Sequence, residues 1–145
     1  MARVIIYPPT SLILADLVER MGHKALVAPE AVRNRVNNPE IKSPPLNITP
    51  EEPKKGLKYA AVDVPSGVRG RMALIGPLIE EADAGIVLDD PGVLTGCAGC
   101  NRTNELTRLL IKTKGIPVLD LRYPRDESEA REFVTRVKTF LEGLK

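Results

Sequence analysis

Arg3-Val4-Ile5-Ile6-Tyr7-Pro8-Pro9-Thr10-Ser11-Leu12-Ile13-Leu14-Ala15-Asp16-Leu17-Val18-Glu19-Arg20-Met21-Gly22 holds a strand, a turn and a helix, in that order. The β-branched run over 3–7 reads as a strand, and Pro8-Pro9 stops it because proline cannot donate to a ladder. Thr10 stands where a helix needs an N-cap. Leu14, Leu17, Val18 and Met21 follow at helical spacing, and Gly22 supplies the exit. A nearly continuous apolar strand leading into an amphipathic helix implies a parallel sheet covered on both faces.

The alternation continues along the chain. Ala25 to Ala28 reads as a second strand and Glu30 to Val36 as a short helix. Tyr59 to Val64 reads as a third strand. Met72, Ile75, Leu78, Ile79 and Ala82 predict a helix over 68–82, with Pro77 expected to kink or divide it. Gly85 to Leu88 is a fourth strand. A helix from Asn104 to Lys114 ends at Gly115, and Pro117 to Leu121 is a fifth strand. Asp126 and Glu129 have capping-box spacing ahead of an apolar face of Ala130, Phe133, Val134, Val137, Leu141 and Leu144. The expectation is one doubly wound α/β domain over 1–145. Its mostly parallel, five-stranded sheet would be flavodoxin-like, in the order 2-1-3-4-5, or Rossmann-like. Only 37–56 breaks the pattern; with Pro39, Pro44, Pro45, Pro50 and Pro53 it reads as a long loop or insertion.

Composition narrows the function classes. A net charge of +2 and an aromatic content of 3% argue against a nucleic-acid surface. No stretch approaches the roughly 20 apolar residues of a membrane span, and no secretory segment opens the chain. The expected compartment is the cytoplasm, where two cysteines serve metal or redox chemistry more readily than a structural disulfide.

In open α/β sheets, ligands bind beyond the carboxyl ends of the strands, at the point where strand order reverses. Three loops are expected there: Pro8 to Ser11, Pro65 to Arg71, and Asp89 to Glu105. The third contains Gly96-Cys97-Ala98-Gly99-Cys100-Asn101-Arg102 just before a helix. A helix N-terminus and a neighbouring arginine favour thiolate, the form that binds metal and exchanges disulfides. The pair is read as a metal or cluster ligand pair, a dithiol redox pair, or small packing residues. A closed zinc site needs four ligands, and the chain has one histidine, His23. Zinc or an iron–sulfur cluster would therefore take ligands from a second chain, as in a symmetric homodimer.

Ser66 and Gly67 with Arg69 and Arg71 could bind an anionic, phosphorylated or nucleotide-like ligand at a helix start; otherwise the arginines are solvated charges. Arg102 could serve an anionic group as well. Thr10 and Ser11 could line the cleft, although capping explains both. Asp63 and Asp89 could face the same cleft. His23 reads as a helix C-terminal residue, Asp120 as an edge or salt-bridged residue, and Glu80, Glu81 and Asp83 as a solvated face. No Ser-His-Asp set, glycosidase carboxylate pair or H-E-x-x-H motif is visible, which favours a non-enzymatic protein.

Three stretches resemble one known family. They are Tyr7 to Arg20, Gly56 to Ala82, and Gly96-Cys97-Ala98-Gly99-Cys100-Asn101-Arg102-Thr103-Asn104-Glu105-Leu106. The chain is similar to methanogenesis marker protein 5 over most of its length. The resemblance implies a methanogenic archaeal cytosol, protein partners in the methanogenesis machinery, and a part in maturation or activation of methyl-coenzyme M reductase. It transfers no catalytic residues. The rival readings are a non-enzymatic interaction module with structural cysteines, and a protein acting on a phosphorylated ligand at the Ser66–Arg71 loop.

Overall fold

The computed structural model describes residues 1–38, 51–89 and 98–144; the side chains of Arg35, 51–53 and 98–100 are not among them. Strands β1 (Arg3–Tyr7), β2 (Lys24–Leu26), β3 (Ala84–Asp89) and β4 (Val118–Arg122) form one sheet. The helices are α1 (Leu12–Arg20), α2 (Ala28–Val36), α3 (Glu51–Gly56), α4 (Ser66–Glu81), α5 (Ala98–Thr113) and α6 (Glu127–Glu142). The strand order is β2-β1-β3-β4 and every pairing is parallel. β1 therefore lies between β2 and β3, and strand order reverses at the β1–β3 junction, as in a doubly wound sheet.

The alternation of β1 divides the core in two. Val4 and Ile6 face Leu14 and Val18 of α1 and Val137 and Leu141 of α6. Ile5 and Tyr7 face Ile75 and Ile79 of α4 and Ile111 of α5. Side chains alternate across a strand, so an apolar residue at each step feeds both layers. Gly85 lets α5 lie close to the sheet: a Cβ there would stand 2.9 Å from Ile111 Cγ2.

The sheet has four strands, not the five expected, because Tyr59 to Val64 is not a strand. The Tyr59 and Ala60 N–H groups both donate to the Gly56 carbonyl at 3.0 Å, so the chain keeps turning as it leaves α3. Ala60 joins Val68 and Met72 in a small separate core, while Val62 is 76% exposed. The carbonyls of Val62 and Val64, which a strand would offer to a neighbour, accept from the Arg69 guanidinium instead. The buried residue of this segment is Ala60; its β-branched residues, Val62 exposed and Val64 half-buried, mark neither a strand nor a core face.

Smaller departures have local causes. Ser11, not Thr10, caps α1: its hydroxyl accepts from the Leu14 N–H at 3.4 Å, and Thr10 is exposed. β2 is Lys24–Leu26 rather than 25–28, since α2 already begins at Ala28. α3 falls inside the proline-rich segment. α4 runs unbroken through Pro77, which sits on its solvent side. Asp126 caps α6 as the sequence predicts, accepting from Glu129 N–H at 2.9 Å, while the Glu129 carboxylate reaches back one residue beyond the cap to accept from Arg125 N–H at 2.8 Å.

Candidate functional site

The β1–β3 reversal fixes where to look, and the residues after β1 are largely occupied with structure. The Pro8 carbonyl accepts from Ser11 N–H, and the Pro9 carbonyl accepts from Ala28 N–H at 2.9 Å, tying this turn to α2. Tyr7-Pro8 is a cis peptide bond.

Beyond β3 the arrangement is ionic. Arg108 of α5 pairs with Asp89 at the end of β3 and reaches Glu105 at 3.1 Å. Lys112, one turn on, bridges Asp89 at 3.5 Å and Asp120 of β4 at 2.8 Å. Asp120 raises the Lys112 pKa most, with smaller help from Asp89. Val87 and Asp120 are in register, so Asp89 and Asp120 stand on the same face of adjacent strands. The cluster holds α5 against β3 and β4. Tyr7 is buried beside it. Burial pushes its phenol pKa up, and the nearby Arg108 charge pulls it back in part. Arg108 Nε is buried with no hydrogen-bond partner among the described residues.

The sequence reading has Asp89 as a cleft residue and Asp120 as an edge or salt-bridged residue, which Lys112 does bridge, but it misses Arg108 and Lys112. Two signals were available: Glu105, Arg108 and Lys112 stand at i, i+3 and i+7 on one helix, and two aspartates end or interrupt neighbouring strands.

The other expected site residues are dispersed. Ser66 and Gly67 are exposed at the start of α4, where Pro65 supplies no side-chain cap. Arg69 is committed to structure, donating from Nη1 to the Val62 carbonyl at 2.7 Å and to that of Val64. Arg71 and Arg102 are exposed on α4 and α5. Asp63 lies in an exposed turn before α4, not at a strand end. Glu80 and Asp83, expected as a solvated face, are ion-paired: Glu80 with Lys58 at 2.6 Å and Asp83 with Arg3 at 3.0 Å.

Cys97 lies outside the described residues, and Cys100 belongs to the first turn of α5. Ile111 of α5 sits over Gly85, and β3 runs four residues, about 13 Å, from there to Asp89. An antiparallel helix covers that distance in about nine residues, which sets the first turns of α5 level with the end of β3. Among the described residues, no group of three His, Cys, Asp or Glu could hold a metal ion. His23 is not available as a fourth ligand. It is buried, its Nδ1 accepts from Ala2 N–H at 3.1 Å, and its Nε2 meets the Leu141 carbonyl at 3.0 Å. It is a seam between the chain's two ends rather than a helix-end charge.

A family model, "Uncharacterized protein conserved in archaea (DUF2112)", matches residues 2–144. The chain belongs to this archaeal family. A family relative, "Uncharacterized protein MJ0404" of Methanocaldococcus jannaschii, is 61% identical over 144 residues, covering 99% of this chain and 96% of the relative. No solved structure matches the chain. Among the described residues, no helix is long and apolar enough to cross a membrane.

Proposed function

We propose that this DUF2112 protein is an accessory protein of methanogenesis, acting in maturation or activation of methyl-coenzyme M reductase through the chemistry of Cys97 and Cys100. The process comes from the resemblance of its three long motifs to methanogenesis marker protein 5. Membership of an archaeal family agrees with that resemblance.

The observation that carries the site is the position of Cys100 in the first turn of α5, at the carboxyl edge of the sheet. Thiolate is favoured in a helix's first turn by the free N–H groups and the helix dipole. The ion cluster on Asp89 and Asp120 anchors this helix to the sheet. With His23 engaged at both ring nitrogens, one chain offers two cysteines. Zinc or an iron–sulfur cluster would then be completed by a second copy or a partner protein, and thiol exchange would need the cysteine pair alone.

The test is deletion of the gene in a methanogen, followed by complementation. The reading expects methyl-coenzyme M reductase to accumulate in an inactive form. Wild type should restore it and a Cys97→Ser, Cys100→Ser double variant should not. Full activity in the deletion strain, or full rescue by the double variant, overturns it.

A further inference from the structure

The two edges of the sheet differ in how their charges are used. At the amino edge, Arg3 pairs with Asp83, and Lys114 donates at 2.6 Å to the carbonyls of Ile79, Glu80 and Ala82. The β3–β4 half of the carboxyl edge is the reverse. Its acids are engaged: Asp89 by Arg108 and Lys112, Glu105 by Arg108, Asp126 and Glu129 in the α6 cap, and Glu127 by Arg131 at 2.7 Å. Three of its arginines are not. Arg102, Arg122 and Arg125 are exposed, and none of their guanidiniums has a hydrogen bond or ion pair among the described residues. Arg122 stands in register with Asp89, whose carboxylate is already taken.

Large apolar side chains stand exposed on the same edge. Tyr123, between Arg122 and Arg125, is 60% exposed. Leu12 and Ile13, in the first turn of α1, are each 70% exposed. α1 and α6 lie on one face of the sheet and both start at its carboxyl edge, so Leu12, Ile13 and the turn that carries Tyr123 and Arg125 share that edge. Isolated exposed apolar residues are ordinary. Three at one edge, together with three guanidiniums that have no partner among the described residues, match the arginine- and aromatic-rich composition of protein interfaces.

We propose that this edge is a docking surface for an acidic protein segment interspersed with apolar side chains. Its carboxylates would pair with Arg102, Arg122 and Arg125, and its apolar side chains would cover Leu12, Ile13 and Tyr123. The guanidinium fork suits carboxylates bidentately, and pairing these arginines displaces no existing partner among the described residues. The proposal does not depend on the cysteine chemistry.

The probe is a fluorescein-labelled 12-residue peptide of Glu and Asp with Leu and Phe at every third position. It is measured by anisotropy on the full chain, beside a control in which Ser replaces Leu and Phe. The surface predicts saturable binding about tenfold tighter for the apolar-bearing peptide. An R102A/R122A/R125A variant should weaken it about tenfold and remove most of the salt dependence. L12S/I13S should reduce both peptides to the same weak binding. Circular dichroism and Tm establish that both variants are folded. Four results overturn the proposal: no saturable binding, equal binding of the two peptides, binding unchanged in a folded arginine variant, or tighter binding of a single-stranded oligonucleotide of equal charge. Sedimentation showing a dimer that L12S/I13S dissociates also overturns it, assigning the edge to a second copy of the chain.

Discussion

The guanidinium of Arg108 on α5 pairs with the carboxylate of Asp89 at the last position of β3, and through it the helix that begins at Ala98 is fixed to the sheet. Asp89→Ala removes the partner and leaves a largely buried cation with one exposed acid, Glu105. Urea unfolding should show a loss of about 1–3 kcal/mol, the cost of stranding a buried donor. Arg108→Met should cost less, because Lys112 still reaches Asp89. A double-mutant cycle between the two should give a coupling above about 0.5 kcal/mol; additive losses would place the pair outside the structural frame.

His23 joins the amino-terminal residue pair to the last helix. Since Ala2 N–H donates to Nδ1, the ring proton sits on Nε2 and is given to the Leu141 carbonyl. Long-range nitrogen–proton NMR should show the Nε2–H tautomer. His23→Phe keeps the ring volume but strands a donor and an acceptor, and should lower stability by about 2 kcal/mol. A dominant Nδ1–H signal would contradict the seam.

Gly56 and Gly76 mark close approaches. A Cβ on Gly56 would lie 1.9 Å from the Arg69 carbonyl oxygen, and one on Gly76 would lie 2.3 Å from the Tyr59 ring. Backbone cannot move aside as a side chain can, so Gly56→Ala should be the more damaging, at about 2 kcal/mol or more. Gly76→Ala should instead displace the Tyr59 ring, seen as a change in tyrosine fluorescence in a chain without tryptophan. Equal thermal stability of Gly56→Ala and wild type would contradict the docking of α3 on α4.

These glycines show why the third strand was misread. Tyr59 to Val64 has strand composition, and nothing within six residues shows that Tyr59 lies on Gly76 or that Arg69 takes the valine carbonyls. Those contacts depend on how α3 and α4 meet. The true strands were legible because β1 and β3 are apolar at nearly every position and are bounded by Pro8 or Asp83. α6 was legible from its Asp126 cap and apolar stripe. The Asp89 cluster was half legible: Asp89 was visible at a strand end and Asp120 within a strand, but the cations of Asp89 lie 19 and 23 residues further on in sequence. The role of Arg69 was not legible, because an arginine at a helix start looks the same whether it meets an anion or a carbonyl.

Asp83 links stability to acid pH. Its carboxyl accepts from the Arg3 guanidinium and backbone N–H, which hold its pKa down to about 2 from 3.8. A pKa lowered on folding stabilises the fold above the unfolded value, and the gain is lost as pH falls from about 4 through about 2. The Tm of wild type should drop across that interval, and Asp83→Asn should flatten this part of the profile. An identical acid limb in both proteins would contradict the assignment.

The proposed function rests on Cys97 and Cys100 acting together chemically at the start of α5. Anaerobic purification, with iron, sulfide and zinc analysis and alkylation mass spectrometry after redox titration, tests it most directly. The claim predicts either bound metal or a reversible two-electron dithiol–disulfide couple, each absent from the Cys97→Ser, Cys100→Ser double variant. Wild-type protein with no metal and two thiols that do not interconvert with a disulfide would contradict it.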